Sequence, residues 1–272
     1  LGPNLKVCNL AGLEAEARHP ILVLCDSDMR AEPDFLRRVT APLRQPEVGL
    51  VTCLYKGVAP KTLADRIEAL GIGTDFIPSV LVSALLRPVD FALGSAIALH
   101  RDTLRQIGGF RGLAHHLADD YQMGQRVWGM GKRVALADLV LEDVLPGEGL
   151  KAMLARRVRW ARTVRLSAPA GYRGAFMTHG TTLALLGLVA SGGTSLGWGV
   201  FGGAWACRVA TSLYVSLFAL GERGVLARLW LLPVADLLSA GIWAAGLWGK
   251  RVAWRGSRYK VSPEGILTPL DE

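Results

Sequence analysis

Residues 21–28, Ile-Leu-Val-Leu-Cys-Asp-Ser-Asp, join a short apolar run to two closely spaced aspartates. A short apolar run bounded by turn-forming residues indicates a buried strand. The carboxylates of Asp26 and Asp28 are then expected at its carboxyl end, where open α/β sheets bind ligands. Two hard oxygen ligands there suit Mg²⁺ or Mn²⁺ carrying a diphosphate. An isolated pair of this kind is more often a polar turn or helix cap, so the rest of the chain must decide between the two.

The first half of the chain alternates strand and helix signals, which indicates an α/β fold. Further strands are predicted over 48–53, over 91–99 with a break at Gly94-Ser95, and over 132–139; helices are predicted over 63–86 and 101–107. A helix that starts near Asp119 would place Asp119 and Asp120 at its N-terminus, where the helix dipole stabilises charged carboxylates. On local grounds, capping explains these two acids better than catalysis does.

Apolar residues make up 51% of the 272 residues, which is high for an ordinary soluble enzyme. Between Gly174 and Gly221 the only charged residue is Arg208. That stretch is long enough for two membrane helices of ~20 residues each, whereas 229–249, which contains Asp236, is expected to be a re-entrant or third segment. A buried pair of core helices is the alternative, and the lack of a polar face disfavours it. Because intramembrane charges usually pair, Arg208 and Asp236 are predicted to approach each other.

The net charge of +8 is concentrated at the two ends of the apolar stretch, in 156–165 and 250–260. This placement favours cytosolic flanks beside anionic lipid over a nucleic-acid partner. The predicted organisation is an α/β catalytic part over 1–148, an amphipathic interface helix over 149–172, membrane helices over 173–249 and a basic cytosolic tail over 250–272.

Taken together, these motifs resemble the family 21 glycosyltransferases, which include ceramide glucosyltransferases and bacterial hopanoid-associated glycosyltransferases. The resemblance covers nearly the whole chain in the family's order and rests on residues 2–10 (GPNLKVCNL), 25–28 (CDSD), 108–110 (GGF), 117–121 (LADDY), 156–160 (RRVRW) and 254–260 (WRGSRYK). It implies a GT-A (Rossmann-like) domain on the cytosolic membrane face, followed by an α-helical membrane region. Such enzymes transfer a sugar from a UDP-sugar to a lipid hydroxyl and invert the anomeric carbon.

Carried onto this sequence residue by residue, the resemblance makes Asp120 the general base and Asp119 its neighbouring acid. Asp26 and Asp28 would hold Mg²⁺ or Mn²⁺, although some members have glycine at the position of Asp28. The family's first signature aspartate has no counterpart, so the GT-A domain is expected to be incomplete and the chain to be a piece of a longer protein that is inactive by itself.

The same resemblance assigns five residues to the UDP-sugar and its diphosphate: Asn4, Lys6, Arg156, Arg159 and Trp160. Arginine suits this role because its planar guanidinium grips phosphate through two hydrogen bonds. On local evidence alone, a solvent-exposed lysine is the more common reading of Lys6.

Two other functions stay open on sequence grounds. A processive polysaccharide synthase uses similar motifs, but Arg156 in place of glutamine and the short membrane region disfavour it. In a non-catalytic membrane scaffold, the acids would only cap helices. The segments 55–57 and 116–121 resemble the hopanoid-associated branch more than animal ceramide enzymes. The preferred prediction is therefore transfer of N-acetylglucosamine to a hopanoid polyol at a bacterial inner membrane, with glucose transfer to ceramide second.

Overall fold

The computed structural model describes residues 1–249, 251–254, 257–262 and 264–270, which form two compact units. The sheet unit comprises Leu1–Tyr55, Leu81–Val144 and Lys250–Glu272, and the helical unit comprises Lys56–Val80 and Leu145–Gly249. Each unit is built from separate stretches of the chain, whereas the sequence suggested four consecutive segments.

A five-stranded sheet organises the sheet unit. Its strands are β1 (Ile21–Cys25), β2 (Met29–Arg30), β3 (Val48–Val58), β4 (Ala96–His100) and β5 (Arg133–Val144), in the order β1-β4-β3-β5-β2. Strand β4 runs antiparallel to both of its neighbours. Strands β3 and β5 run parallel, because Arg133 N–H donates to Glu47 O (2.7 Å) where they start and Leu145 N–H donates to Val58 O (3.2 Å) where they end. The mixed sheet confirms an α/β fold and is consistent with a GT-A-like domain.

The described helices are α1 (Leu5–Glu16), α2 (Phe35–Thr40), α3 (Leu63–Gly71), α4 (Ile77–Leu86), α5 (Arg101–Gln106), α6 (Asp119–Gly129), α7 (Leu150–Ser167), α8 (Pro169–Gly174), α9 (Gly180–Ala190), α10 (Ser195–Tyr214) and α11 (Leu232–Gly246). A π-helical turn, Ile72–Phe76, joins α3 to α4, so the helix predicted over 63–86 is confirmed. The helix predicted from Asp119 is also confirmed.

Both faces of the sheet are covered because side chains alternate along each strand. On β4, Ile97 and Leu99 belong to the core that contains Val7 of α1, Leu104 of α5 and Met123 of α6. Ala96 and Ala98 point the other way, into the core that contains Val39 of α2. This packing places the first turns of α1 and α6 on the same side of the sheet.

Two strand predictions need correction. Strand β1 is an edge strand whose residues are partly exposed, not a buried strand. The strand expected over 91–99 begins only at Ala96. In the residues before it, backbone and side-chain groups form hydrogen bonds with β3 that differ from the backbone ladder of a strand. Leu93 N–H donates to the Thr52 hydroxyl (2.9 Å), and the Ser95 hydroxyl donates to Cys53 O (3.0 Å). The resulting loop lies beside the end of β1, where Asp26 N–H donates to Ser95 O (3.1 Å).

The helical unit has its own apolar core, formed by α3, α7 and the start of α11 through residues such as Ile67, Leu70, Met153, Leu231 and Leu232. Two helices, α9 and α10, occupy the stretch in which two membrane helices were expected. The first has 11 residues and rises about 16 Å, roughly half a bilayer's hydrocarbon core. The described helices that are long and apolar enough to cross a membrane are instead Leu63–Leu86 and Arg223–Gly246.

The predicted pairing of Arg208 with Asp236 is confirmed. The Arg208 guanidinium donates to Asp236 Oδ1 from Nε (3.0 Å) and from Nη2 (2.6 Å). Arg208 Nη1 also donates to the carbonyl of Thr74, in the π-helical turn. One guanidinium therefore joins three helical segments within the apolar unit.

The end of the chain, expected as a basic tail, forms a three-stranded sheet of β6 (Arg251–Trp254), β7 (Ser257–Val261) and β8 (Leu267–Pro269). This small sheet belongs to the sheet unit. These short strands were not predicted, because the interpretation of this segment rested on its basic residues, of which Lys250 and Arg255 lie outside the described residues. The cytosolic position of the segment stays a prediction.

Candidate active site

Lys6 and Asp26 form an ion pair in the sheet unit. Lys6 lies in the first turn of α1 and Asp26 directly follows β1, with 2.7 Å between Nζ and Oδ1. Burial by itself would lower the pKa of Lys6, but the carboxylates of Asp119 and Asp26 outweigh burial and raise that pKa. Burial also raises the pKa of Asp26, and the attraction of Lys6 only partly opposes this. The Lys6 ammonium is thus a fixed positive charge among several acids.

Asp119 and Asp120 begin α6, and their environments differ. Asp119 is 7% exposed, and its Oδ1 accepts a hydrogen bond from Asn4 Nδ2 (3.2 Å). Asp120 Oδ1 accepts from the backbone N–H of Tyr121 (2.7 Å). Burial, and then the charge of Asp119, raise the pKa of Asp120 from 3.8 to about 6. Such a carboxylate is ionised at neutral pH and still basic enough to take a proton from a reacting hydroxyl.

Asn4 supports the starts of two helices from within the sheet unit, and its predicted contact with the nucleotide stays a prediction. Its side chain is fully buried. The oxygen caps α1 by accepting from Val7 N–H (3.1 Å), while the amide nitrogen donates to His116 O (2.9 Å) and to Asp119. Asn4 therefore positions Asp119 and joins the start of α1 to the start of α6. Its neighbour Lys6, two residues later, is the one whose charged end reaches the acids.

Gly94 is a site residue that the sequence analysis missed. A methyl group at this position would lie 3.0 Å from Asp120 Oδ2 and 3.6 Å from Lys6 Nζ. The carboxylate and the ammonium therefore border the same small space, which any larger residue would fill. In the sequence, Gly94 indicated only a break in a strand. The structure shows in addition that the loop that carries Gly94 lies beside the end of β1, where the lack of a side chain leaves space next to Asp120 and Lys6.

The C-terminal segment supports the loop that leads to these acids. Leu267 N–H donates to His115 O (2.7 Å), and Leu117 N–H donates to Gly265 O (3.0 Å). These two bonds hold the residues just before Asp119 from the outside, while Asn4 holds them from within.

The fit of a divalent metal can be judged from the donor set. Asp26 pairs with Lys6, whereas Asp28 is exposed and its backbone carbonyl accepts a hydrogen bond from Val144 N–H (2.9 Å). Within the described ranges, no group of three or more His, Cys, Asp or Glu side chains could hold a metal ion. The residues therefore do not make an all-protein cage. They fit the other common mode for Mg²⁺, in which one or two carboxylates hold the ion and substrate phosphates and water complete its shell.

The basic motif on α7 lies in the helical unit, and two of its three arginines, Arg156 and Arg159, have different surroundings. Arg156 is engaged: it donates to Glu68 and to Glu148, and its guanidinium carbon lies 5.6 Å from the centre of the Trp160 ring. Arg159, by contrast, has no carboxylate partner in the part of the chain that the structure describes. Desolvation and the charge of Arg156 lower the pKa of Arg159. Binding of an anion would therefore stabilise the charge of Arg159, whereas Arg156 already pairs with two carboxylates.

Of the predicted site residues, Lys6, Asp26, Asp119 and Asp120 come together in the sheet unit. Asp28 follows in the same turn, and Asn4 supports the group from behind. Half-buried acids whose pKa values are raised beside a cation, here Asp26 and Asp120 beside Lys6, are typical of catalytic sites. This arrangement can bind an anionic ligand through the ammonium and accept a proton at Asp120.

Comparison with protein families agrees with this chemistry and identifies the class of protein, a glycosyltransferase. The family model described as glycosyl transferase family 21 matches residues 1–267, so the chain belongs to that family. The match spans both compact units and confirms the resemblance found in the sequence.

Proposed function

We propose that this glycosyltransferase is membrane-bound and transfers a sugar from a UDP-sugar to a lipid hydroxyl with inversion at the anomeric carbon. The preferred pair is UDP-N-acetylglucosamine with a hopanoid polyol, and UDP-glucose with ceramide is the second. The observation that carries the proposal is the state of Asp120, a desolvated carboxylate with a pKa of about 6 that borders the same space as the Lys6 ammonium.

In the proposed reaction, the lipid hydroxyl oxygen attacks the anomeric carbon while its proton passes to the Asp120 carboxylate. The new bond from carbon to oxygen forms as the bond from the anomeric carbon to the diphosphate oxygen breaks, so UDP leaves with the electron pair. One displacement with one base inverts the carbon and needs no covalent intermediate. Lys6, which lies beside these acids, is proposed to offset the charge that develops on the leaving diphosphate. For Arg159 the same role is proposed from the resemblance of its motif to the family's motif alone.

Asp26 and Asp28 are the residues proposed to hold Mg²⁺ or Mn²⁺, and the ion would supply further charge stabilisation for the departing diphosphate. Because Lys6 already pairs with Asp26, the ion and the ammonium would share this carboxylate. Metal dependence is therefore expected to be partial. Chelation of the metal ion should reduce the rate of transfer, and the remaining activity should depend on Lys6.

The path of the chain supports attachment to one face of a membrane. The helix Leu63–Leu86 joins β3 to β4, which pair with each other in one sheet through residues such as Leu50 and Leu99. Both ends of this helix are thus on the same side, so it does not act as a single crossing. The stretch between β5 and β6 also leaves the sheet unit and returns to it. We propose that this stretch crosses the membrane an even number of times, with the sheet unit in the cytosol.

The test is a transfer assay with the purified full-length protein in lipid nanodiscs. Each UDP-sugar, radiolabelled in the sugar, is incubated with each candidate lipid, and glycolipid is separated from free sugar. We expect the Asp120→Asn variant to lose at least about 100-fold in kcat/KM, since a general base typically contributes that much or more. The matched control is Asp102→Asn, the same change at a carboxylate whose side chain is 84% exposed, which should retain full activity.

The products decide between this proposal and its alternatives. Release of UDP together with a singly glycosylated β-linked lipid supports it. Accumulation of polymer would favour the processive synthase, and equal activity in the two Asp→Asn variants would remove Asp120 from the role of base.

A further inference from the structure

The helical unit contains a pair of adjoining cavities with opposite chemistry. One is a polar recess of about 10 Å³, lined by Asp75, His179, Thr182, Arg208 and Ser239 among others. The other is an apolar cavity of about 130 Å³, lined by side chains that include Leu185, Phe201, Trp205 and Leu237. Three residues, Thr181, Thr182 and Asp236, line both cavities, so the two spaces meet along α9 and α11.

The sizes of the two spaces limit what can occupy them. A space of about 10 Å³ holds about one water molecule or one hydroxyl group. The apolar cavity approaches the size of engineered cavities that bind a benzene molecule. One of its lining residues, Leu237, is 51% exposed, so this cavity opens onto the outer apolar surface of the helices. A hydrocarbon chain can therefore enter from that surface and place one small polar group in the recess.

The polar groups of the recess indicate which small group fits. Arg208 and Asp236 largely satisfy each other through their paired hydrogen bonds. Asp75 accepts a hydrogen bond from the Ser239 hydroxyl and stands in the π-helical turn, a distortion that is frequent at functional sites. The Thr182 hydroxyl oxygen is buried and has no hydrogen-bond partner within the described part of the chain. An unsatisfied hydroxyl between a polar and an apolar space is a specific anomaly, since buried polar groups are nearly always bonded.

From these observations we infer that the helical unit binds the hydroxyl end of a long-chain alcohol, with the hydroxyl in the polar recess and the hydrocarbon chain in the apolar cavity. A hydroxyl both accepts and donates, so it can accept from Thr182 and donate to Asp75. A carboxylate or phosphate would meet two aspartates, and an ammonium would meet Arg208 and could not accept from Thr182. The inference goes beyond the proposed sugar transfer, because it does not depend on any reaction at Asp120.

The experiment uses the protein in nanodiscs and two photoreactive probes, hexadecan-1-ol with a diazirine in its chain and the methyl ether of the same molecule. Labelled peptides are identified by mass spectrometry. We expect the alcohol to label the peptides that contain Trp205 and Leu237, with about five- to tenfold preference over the ether, the size of effect that one satisfied hydrogen bond provides.

Two variants test the two halves of the site. Thr182→Val keeps the shape of the side chain and removes only its hydroxyl. Because the oxygens of both probes can accept from that hydroxyl, labelling by the alcohol and by the ether should each fall about fivefold, while the preference for the alcohol, which depends on donation to Asp75, persists. Leu185→Trp fills the apolar cavity and should reduce labelling by both probes at least about fivefold. Its matched control is Leu186→Trp, the same change at the next position of α9, where the side chain is 61% exposed; it should leave labelling unchanged.

Equal labelling by alcohol and ether in the unchanged protein would overturn the inference, as would loss of labelling in both tryptophan variants. Stronger labelling by the corresponding hexadecylamine would also overturn it, in favour of a cation site. Because Asp120→Asn should bind the alcohol as well as the unchanged protein does, failure of this site and failure of the proposed sugar transfer are distinguishable.

Discussion

Replacing Asp120 with asparagine is expected to stabilise the protein at neutral pH while it removes the proposed activity. The pKa of Asp120 is raised from 3.8 to about 6 in the fold, chiefly by burial and next by the charge of Asp119. At a pH above both pKa values, Asp120 is a carboxylate in the folded protein, and this carboxylate would be better solvated in the unfolded chain. An elevation of about two pH units corresponds to about 3 kcal/mol, which is the upper limit of the stability that the neutral amide can recover.

The pH dependence gives this prediction its sign. Between pH 3.8 and about 6 the folded state binds more protons at Asp120 than the unfolded state does, so the stability contributed by this group falls as the pH rises through that range. The gain from Asp120→Asn should therefore be close to zero at pH 3.5, grow through pH 5 and level off above pH 6.5.

Thermal unfolding of the two proteins in the same detergent, measured from pH 3.5 to pH 8, checks the prediction. For a chain of this size, about 3 kcal/mol corresponds to a rise in Tm of roughly 6–12 °C, and a smaller rise with the same pH profile would still agree. The Asp102→Asn control should show no such profile. A variant that is less stable at pH 7 than the unchanged protein would refute the reasoning, because Asp120 would then be a stabilising cap of α6 and not a strained base.

Three further expectations follow from the same contacts. Asp119→Asn removes the like charge that helps to raise the pKa of Asp120, so the acid limb of the pH–rate profile should move to lower pH. An unmoved limb would mean that the charge of Asp119 does not affect the pKa of the catalytic group. Gly94→Ala adds a methyl group 3.0 Å from Asp120 Oδ2, and the displaced carboxylate should lower kcat about tenfold with little change in Tm, whereas a large loss of Tm would mean a packing role. Arg159→Ala should raise the KM for the UDP-sugar about tenfold at nearly constant Tm. Arg156→Ala should instead lower the stability by about 2–4 kcal/mol, because it leaves two glutamates without their partner, and the reverse pattern would exchange the roles of the two arginines.

Local patterns were sufficient for several elements. The helix over 63–86, the start of α6 at the two acids and the pair of helices α9 and α10 depend on apolar runs, caps and turns that neighbouring residues largely determine. The pairing of Arg208 with Asp236 was also predictable, because a lone charge in apolar surroundings needs an opposite charge and the chain offered one.

Elsewhere, long-range hydrogen bonds determine the structure, and local patterns did not predict it. Residues 91–95 read as a strand, but Thr52 and Ser95 side chains tie this segment to β3 and turn it into the loop that carries Gly94. The contacts that Asn4 and Arg156 make within the protein were likewise not predictable from local patterns. Both types of side chain bind ligands well, and only their surroundings show that Asn4 is fully buried and that Arg156 is already paired with glutamates.

The family and the chemistry expected of it could be predicted from the order of short motifs, because a catalytic carboxylate or a phosphate-binding arginine must be a particular residue type in any fold. The protonation state and the surroundings of each side chain could not be predicted in this way. The raised pKa of Asp120, the charge on Lys6 and the empty space over Gly94 arise where α1, α6 and the loop before β4 meet, although Lys6 and Asp120 are 114 positions apart in the sequence. Desolvation and Coulomb interactions depend on distance in space, which sequence spacing does not determine, so only the tertiary structure converts these residues into a site.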